Sequence, residues 1–210
     1  MAAGIIFDVD GTLWDSTEEV AVSWNQAIRE HARIERTLTG EELKKEFGKP
    51  LDEIMDDLFP ELNRAEKDEL AYYMYQYENE HVKDAPCICY DRMPETIRVL
   101  SEKYPLFIVS NCQSGYIEAF LENTGLGDCI RDFTCPGDTR QLKGDNIRII
   151  MERNGIESAV YVGDTQGDAE ACKKAGVPMI YAAYGFGDVK GDYVTIHSFE
   201  ELLRLDLDKL

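Results

Sequence analysis

The chain has 210 residues, 44% apolar and 10% aromatic, which is enough side chain to build a core in one large domain or in a core with an insert. Its 22 basic and 41 acidic residues leave a net charge of −19, which argues against nucleic acid and anionic membrane surfaces as partners. No stretch is apolar for the length of a membrane span, and an anionic substrate would need a local cation to reverse the field at its site.

Residues 4–9 are apolar and run into acids, as a buried parallel strand does at its carboxyl end. The start lacks the basic and apolar regions of a signal peptide. The six cysteines, Cys87, Cys89, Cys112, Cys129, Cys135 and Cys172, contain no Cys-x-x-Cys pair. Cys87 and Cys89 stand too close for a structural disulfide. Reduced thiols in a cytoplasmic protein are therefore expected.

Ser16-Thr17-Glu18-Glu19 reads as a capping box, with Val20, Trp24, Ala27 and Ile28 following at helical spacing. Thr39-Gly40-Glu41-Glu42 opens a second helix. Leu51, Ile54, Met55 and Leu58 keep the helical period up to Pro60. Asn63 can cap a long helix through about His81. Residues 16–83 thus read as helical throughout, a candidate inserted subdomain with hinges near 15–16 and 84–91. Tyr72, Tyr73, Tyr75 and Tyr77 cannot share one helical face, so packing is the expected role for them.

The rhythm then changes. Pro94 can open a helix carrying Ile97 and Leu100, and Leu106-Phe107-Ile108-Val109 is a strand ending at Ser110-Asn111. Ser114 can cap a helix that Gly125 stops. Phe133-Thr134 is a short strand, and a helix after Lys143 runs to Asn154-Gly155. Residues 159–162 form a strand ending at Gly163-Asp164. A short helix ends at Gly176, strands follow at 177–182 and 193–196, and Ser198-Phe199-Glu200-Glu201 reads as a last capping box. Strands alternating with helices predict an α/β fold: a Rossmann-like parallel sheet with helices on both faces, plus an inserted all-helical cap subdomain. The core is 1–15 with 84–210, and the cap is 16–83.

In such sheets ligands bind at the carboxyl ends of the strands. Three of those ends carry polar groups: Asp8 and Asp10, Ser110 and Asn111, and Asp164. Asp8, Asp10, Asp164 and Asp168 crowded together would repel one another unless a cation sat among them. Oxygen ligands without His or Cys suit Mg²⁺, and Lys143 adds a second positive charge for a substrate phosphate. In an extended strand Asp8 and Asp10 share a face. Gly11-Thr12 lets the chain turn and brings backbone N–H groups toward an anion. An EF-hand loop fits less well, because Thr12 occupies an acid position and a strand, not a helix, precedes it.

These motifs resemble the haloacid dehalogenase superfamily, in its phosphatase branch with a small helical cap. Asp8-Val9-Asp10-Gly11-Thr12 is similar to its first motif, Ser110 to its second and Lys143 to its third. Gly163-Asp164-Thr165-Gln166-Gly167-Asp168 is similar to its fourth, and the resemblance spans essentially the whole chain. It implies that Asp8 forms an aspartyl-phosphate and that Asp10 protonates the leaving oxygen and then activates water. It implies that Ser110, Asn111 and Lys143 hold the phosphoryl group. Asp8, the Asp10 carbonyl and Asp164 would bind Mg²⁺, while Asp168 would ligate it, reach it through water, or orient Lys143.

The expected function is a Mg²⁺-dependent phosphatase for a small phosphorylated metabolite, phosphoglycolate-like. A sugar-phosphate mutase shares these motifs. A phosphorylatable signalling module without turnover shares a strand-end Asp, a Mg²⁺ site and a Lys, but lacks a long helical insert and the acid at Asp10. Dehalogenation is disfavoured, since the relatives that perform it lack that second acid. Oligomeric state leaves no mark on the sequence.

Overall fold

Short apolar runs whose two faces both find cover build the centre of the molecule. The computed structural model describes residues 4–86 and 88–209. In chain order its elements are β1 (Gly4–Phe7), β2 (Trp14–Asp15), α1 (Thr17–His31), α2 (Gly40–Leu43), α3 (Leu51–Leu58), α4 (Arg64–Asp84), β3 (Ile88–Cys89), α5 (Met93–Ser101), β4 (Leu106–Val109), α6 (Tyr116–Thr124), β5 (Ile130–Thr134), α7 (Pro136–Thr139), α8 (Lys143–Asn154), β6 (Ala159–Gly163), α9 (Gln166–Ala175), β7 (Met179–Ala182) and β8 (Val194–Ile196).

Six strands form one parallel sheet in the order β5-β4-β1-β6-β7-β8. Side chains alternate between two cores, as a period of two requires. Ile5, Phe7, Ile108 and Val162 face the core that α5 and α6 close with Ile97 and Phe120. Ile6, Phe107, Val109 and Tyr161 face the core that α8 and α9 close with Ile147, Ile150, Ala169 and Cys172. The architecture is the expected α/β sheet with helices on both faces and an all-helical insertion after the first strand.

Phe7 is in register with Ile108 on one side and Val162 on the other. The residues that next leave these three neighbouring strands are Asp8, Ser110 and Asp164, so all three emerge at one edge. The chain passes from β1 out to β4 and β5, then returns to β6 on the far side of β1. Such a switch is where open α/β sheets place ligands.

The helical run is held together mainly by α1 against α4. The His31 ring stacks on Tyr73 with centroids 3.5 Å apart, Tyr75 packs 6.3 Å from Trp24, and Tyr77 Oη donates to Glu30 at 2.7 Å. Packing absorbs most of the tyrosine run, while Tyr72 is exposed. Polar contacts tie the run to the sheet domain at several points. Lys44 Nζ lies 3.0 Å from Asp15, Asn79 Nδ2 donates to the Ser114 carbonyl at 2.8 Å, and Asn111 Nδ2 donates to the Gly48 carbonyl at 2.9 Å.

Several local expectations are corrected. Residues 16–83 are not helical throughout, since 32–39, 44–50 and 59–63 are turns and loops around Gly48, Pro50 and Pro60. Thr39 and Asn63 do make reciprocal capping boxes. Ser16 makes no cap bond, because its hydroxyl donates to Asp10. Ser114 donates to Asp138 instead, leaving Gly115 at the N-cap of α6. Ser198 makes no cap bond either; residues Phe199–Arg204 form a 3₁₀ helix, and Glu201 accepts from the His197 N–H. The antiparallel pair β2–β3, where the insertion leaves and rejoins, went unanticipated because two-residue strands carry no periodicity.

Cys89, Cys112, Cys129, Cys135 and Cys172 are free thiols, and Cys87 lies outside the described residues. Among the described residues no helix is long and apolar enough to cross a membrane.

Candidate active site

Strand β1 ends at Phe7, so Asp8 and Asp10 do not share a strand face as the spacing suggested. The chain turns after Asp8: Gly11 adopts a φ of 81°, and Asp10 bridges to Trp14. The two carboxylates diverge as a result. The Asp8 side chain points at Lys143, whose Nζ lies 3.1 Å from Asp8 Oδ2 and 2.7 Å from Asp168 Oδ1. Asp10 Oδ1 instead accepts from Ser16 Oγ at 2.6 Å, Tyr116 Oη at 2.6 Å and Trp14 Nε1 at 3.1 Å.

This turn can form only without a side chain at Gly11. A Cβ there would fall 2.2 Å from Asp164 Oδ2. Gly185 closes the same cradle, where a Cβ would meet the Gly11 carbonyl at 2.3 Å. Between these glycines Asp164 accepts from Thr12 Oγ1 at 3.1 Å and from the Phe186 N–H at 2.7 Å.

Asp8, Asp164 and Asp168 are all buried, and each offers an oxygen within 4.8 Å of those of the other two. Burial is the main force on Asp8 and lifts its carboxyl to about 6; Lys143 opposes this, Asp168 adds to it, and the Ser110 hydroxyl opposes it. Burial, then Asp168 and Asp8, hold Asp164 well above the carboxylate range. Burial also raises Asp10, against its bonds from Ser16, Tyr116 and Trp14. Lys143 resists its own burial because Asp168 and Asp8 hold its ammonium far above the usual lysine range.

Among the described residues, the buried Asp8 Oδ1 has no hydrogen-bond partner. An orphaned carboxylate oxygen among raised acids, with no His or Cys in the group, fits a hard divalent cation such as Mg²⁺. Asp168 is differently placed. Its Oδ1 takes Lys143, and its Oδ2 accepts from the Thr165 N–H at 2.9 Å, Thr165 Oγ1 at 2.7 Å and the Asp164 N–H at 3.2 Å. That geometry orients Lys143 and the Asp164 loop and leaves little free coordinating capacity.

Ser110 is buried beside Asp8, and Asn111 commits its amide to Gly48. The sheet edge thus brings together Asp8, Ser110, Lys143, Asp164 and Asp168, with Asp10 turned to a separate hydrogen-bond nest. Tyr116 and Ser16 were missed as partners of Asp10. Tyr116 is 106 residues away, and a single hydroxyl on a helix gives no signal at that distance. Trp14 packs edge-on against Phe120 at 4.8 Å and donates to Asp10.

Two cavities flank the site. A cleft of about 580 Å³ is lined by Lys44, Lys45, Lys49, Lys143 and Lys174 among others. A chamber of only about 20 Å³ lies over Asp8, Asp10 and Ser110. Phe47, Gly48 and Asn111 line both, so the Asn111–Gly48 hydrogen bond stands in the wall between them.

The profile of the haloacid dehalogenase-like hydrolase family matches residues 5–182. Phosphoglycolate phosphatase of Aquifex aeolicus is 28% identical over 188 residues, covering 87% of this chain and 85% of that protein. A solved structure described as a predicted phosphoglycolate phosphatase from Haemophilus somnus superposes with a TM-score of 0.81 at 20% identity, covering 96% of each chain. One described as a predicted phosphatase from Clostridium acetobutylicum gives a TM-score of 0.81 at 23% identity, covering 98% of this chain and all of the other.

Proposed function

This chain belongs to the haloacid dehalogenase-like hydrolase family as a phosphatase acting on phosphate esters, and we propose that it hydrolyses a small phosphomonoester through an aspartyl-phosphate on Asp8, with Mg²⁺ as cofactor. The observation that carries the reading is Asp8 itself. It is a buried carboxylate with one oxygen 3.1 Å from Lys143 and the other without a hydrogen-bond partner among the described residues, at the carboxyl edge of the central strand.

In this reading one Asp8 oxygen attacks phosphorus as the bond to the ester oxygen breaks. Asp10, whose carboxyl burial raises, delivers its proton to the departing alkoxide. The regenerated Asp10 carboxylate then takes a proton from water, whose oxygen displaces the phosphoryl group from Asp8 as inorganic phosphate. Ser16, Trp14 and Tyr116 fix the Asp10 rotamer for both steps. Lys143 and Ser110 hold the phosphoryl oxygens, and Asp168 holds Lys143. Mg²⁺, bound by Asp8, the Asp10 carbonyl and Asp164, would neutralise phosphoryl charge.

Helices α1–α4 act as a cap, with 1–15 and 84–210 as the core. The cleft beside the site carries five lysines alongside Glu53, Glu170 and Asp188, and Lys44, Lys49, Lys143 and Lys174 each pair with a carboxylate, so a bound cation would supply the rest of the positive charge that a phosphate needs on a chain of net charge −19. Phosphoglycolate, named for the curated relatives, is the reference compound. The test is steady release of phosphate from p-nitrophenyl phosphate by the whole protein. Turnover that needs Mg²⁺ and disappears in Asp8→Asn supports the reading; turnover that survives the substitution refutes it.

A further inference from the structure

The chamber over Asp8 has a wall unlike the lysine-lined cleft. Besides the strand-end residues, it is formed by Trp24, Phe47, Leu51, Ile54, Glu78 and Tyr116. Among the described residues lining it there is no Lys, Arg or His. Its charged wall group beyond Asp8 and Asp10 is Glu78, a buried carboxyl on α4. Trp24 Nε1 donates to Glu78 Oε2 at 2.6 Å, which fixes the side chain, and the Trp24 and Phe47 rings lie 6.2 Å apart.

Phosphoryl oxygens belong with Lys143 and Ser110, so the chamber on the cap side is the place for the leaving group. A carboxylate there would find two acidic side chains and no cationic one in the wall. An ammonium would meet a carboxyl beside two aromatic side chains, a combination that recognises cationic nitrogen. On the proposed phosphatase reading, we infer that Glu78, with Trp24 and Phe47, receives a cationic amine on the leaving group, and that the substrate class is phosphorylated small amino alcohols. Burial supports this by raising the Glu78 carboxyl to about 8, against bonds from Trp24 and Gln113: an acid left without a cation is costly here, and an ammonium supplies one. At about 20 Å³ the chamber holds roughly one water. The cap must therefore part to admit substrate, and a two- or three-carbon leaving group suits it best.

The experiment compares kcat/KM of the whole protein with Mg²⁺ for O-phosphoethanolamine and phosphoglycolate, in wild type and in Glu78→Gln. Glutamine keeps an oxygen for the Trp24 hydrogen bond, so the variant should fold, which a thermal melt checks. The expected result is at least a tenfold preference for phosphoethanolamine, falling at least tenfold in the variant. Preference for phosphoglycolate, or equal losses for both substrates, would overturn the inference while leaving the phosphatase reading intact. Absence of phosphate release from phosphoethanolamine, phosphoglycolate and p-nitrophenyl phosphate alike would instead defeat the phosphatase reading. In that case calorimetric binding of the same two compounds to Asp8→Asn decides: tighter phosphoethanolamine binding, weakened by adding Glu78→Gln, supports the receptor, and tighter phosphoglycolate binding contradicts it.

Discussion

Lys143 Nζ lies 3.1 Å from Asp8 Oδ2 and is steered there by Asp168, 2.7 Å away on its other side. One buried ammonium thus serves two buried carboxylates, and its removal should be felt in both fold and chemistry. Lys143→Ala is expected to cost roughly 3–5 kcal/mol of stability without Mg²⁺, by stranding charge in the interior. It should also lower kcat by roughly 10²–10³-fold, as loss of one anion-stabilising donor does. Urea unfolding with and without Mg²⁺, alongside phosphate release, checks both. Added Mg²⁺ should recover part of the stability and little of the rate.

Tyr116 Oη and Ser16 Oγ each stand 2.6 Å from Asp10 Oδ1. Asp10→Asn should lower kcat by roughly 10²–10⁴-fold, the usual weight of a general acid–base. Tyr116→Phe should leave the acid in place but less well aimed, lowering kcat by about tenfold with KM nearly unchanged. Steady-state kinetics separate the two, and a change confined to KM in Tyr116→Phe would argue for substrate contact instead.

Asp164 and Asp168 should fail in different ways. In the proposed site Asp164→Asn would remove a metal-binding carboxylate, and it should raise the Mg²⁺ concentration for half-maximal activity by roughly 10–100-fold, the scale of lost metal-site support. Asp168→Asn disturbs Lys143 and the Thr165 loop first. It should lower kcat and melting temperature with a smaller shift in Mg²⁺ dependence. Metal titrations of activity and thermal melts distinguish these outcomes.

Glu78 predicts a pH dependence of stability. Burial lifts its folded-state value from 4.5 to about 8, so between those limits the folded protein binds more protons than the unfolded chain. Stability from this group is therefore greatest at low pH and falls as pH rises from about 4.5 to about 8. The full loss is roughly 3–5 kcal/mol from the size of the shift. Glu78→Gln should flatten the slope, so that it becomes more stable relative to wild type from pH 5 to 9. Chemical denaturation across that range tests it, and parallel curves would contradict it.

The strands were legible because β1, β4 and β6 are unbroken apolar runs with a polar residue at the exit of each. That was enough to bring Asp8, Ser110 and Asp164 to one edge. The Asp8–Asp10 geometry was misjudged because it depends on where β1 stops, and the stop is set by Gly11 fitting against Asp164, a contact across 153 positions. Ser16 looked like a helix cap because local spacing cannot reveal a competing acceptor such as Asp10. Glu78 sat unremarked in a charged helix, since its burial arises only when α4 folds over Trp24.

The central claim is that phosphate passes through Asp8. Mixing the Mg²⁺-loaded protein with a turned-over phosphate ester, quenching in acid within the first turnovers and mapping peptides by mass reads this directly. The account predicts one added phosphoryl group on the peptide containing Asp8, labile to hydroxylamine and absent in Asp8→Asn. Rapid turnover with that peptide unmodified, or with the phosphoryl group on another residue, would contradict it.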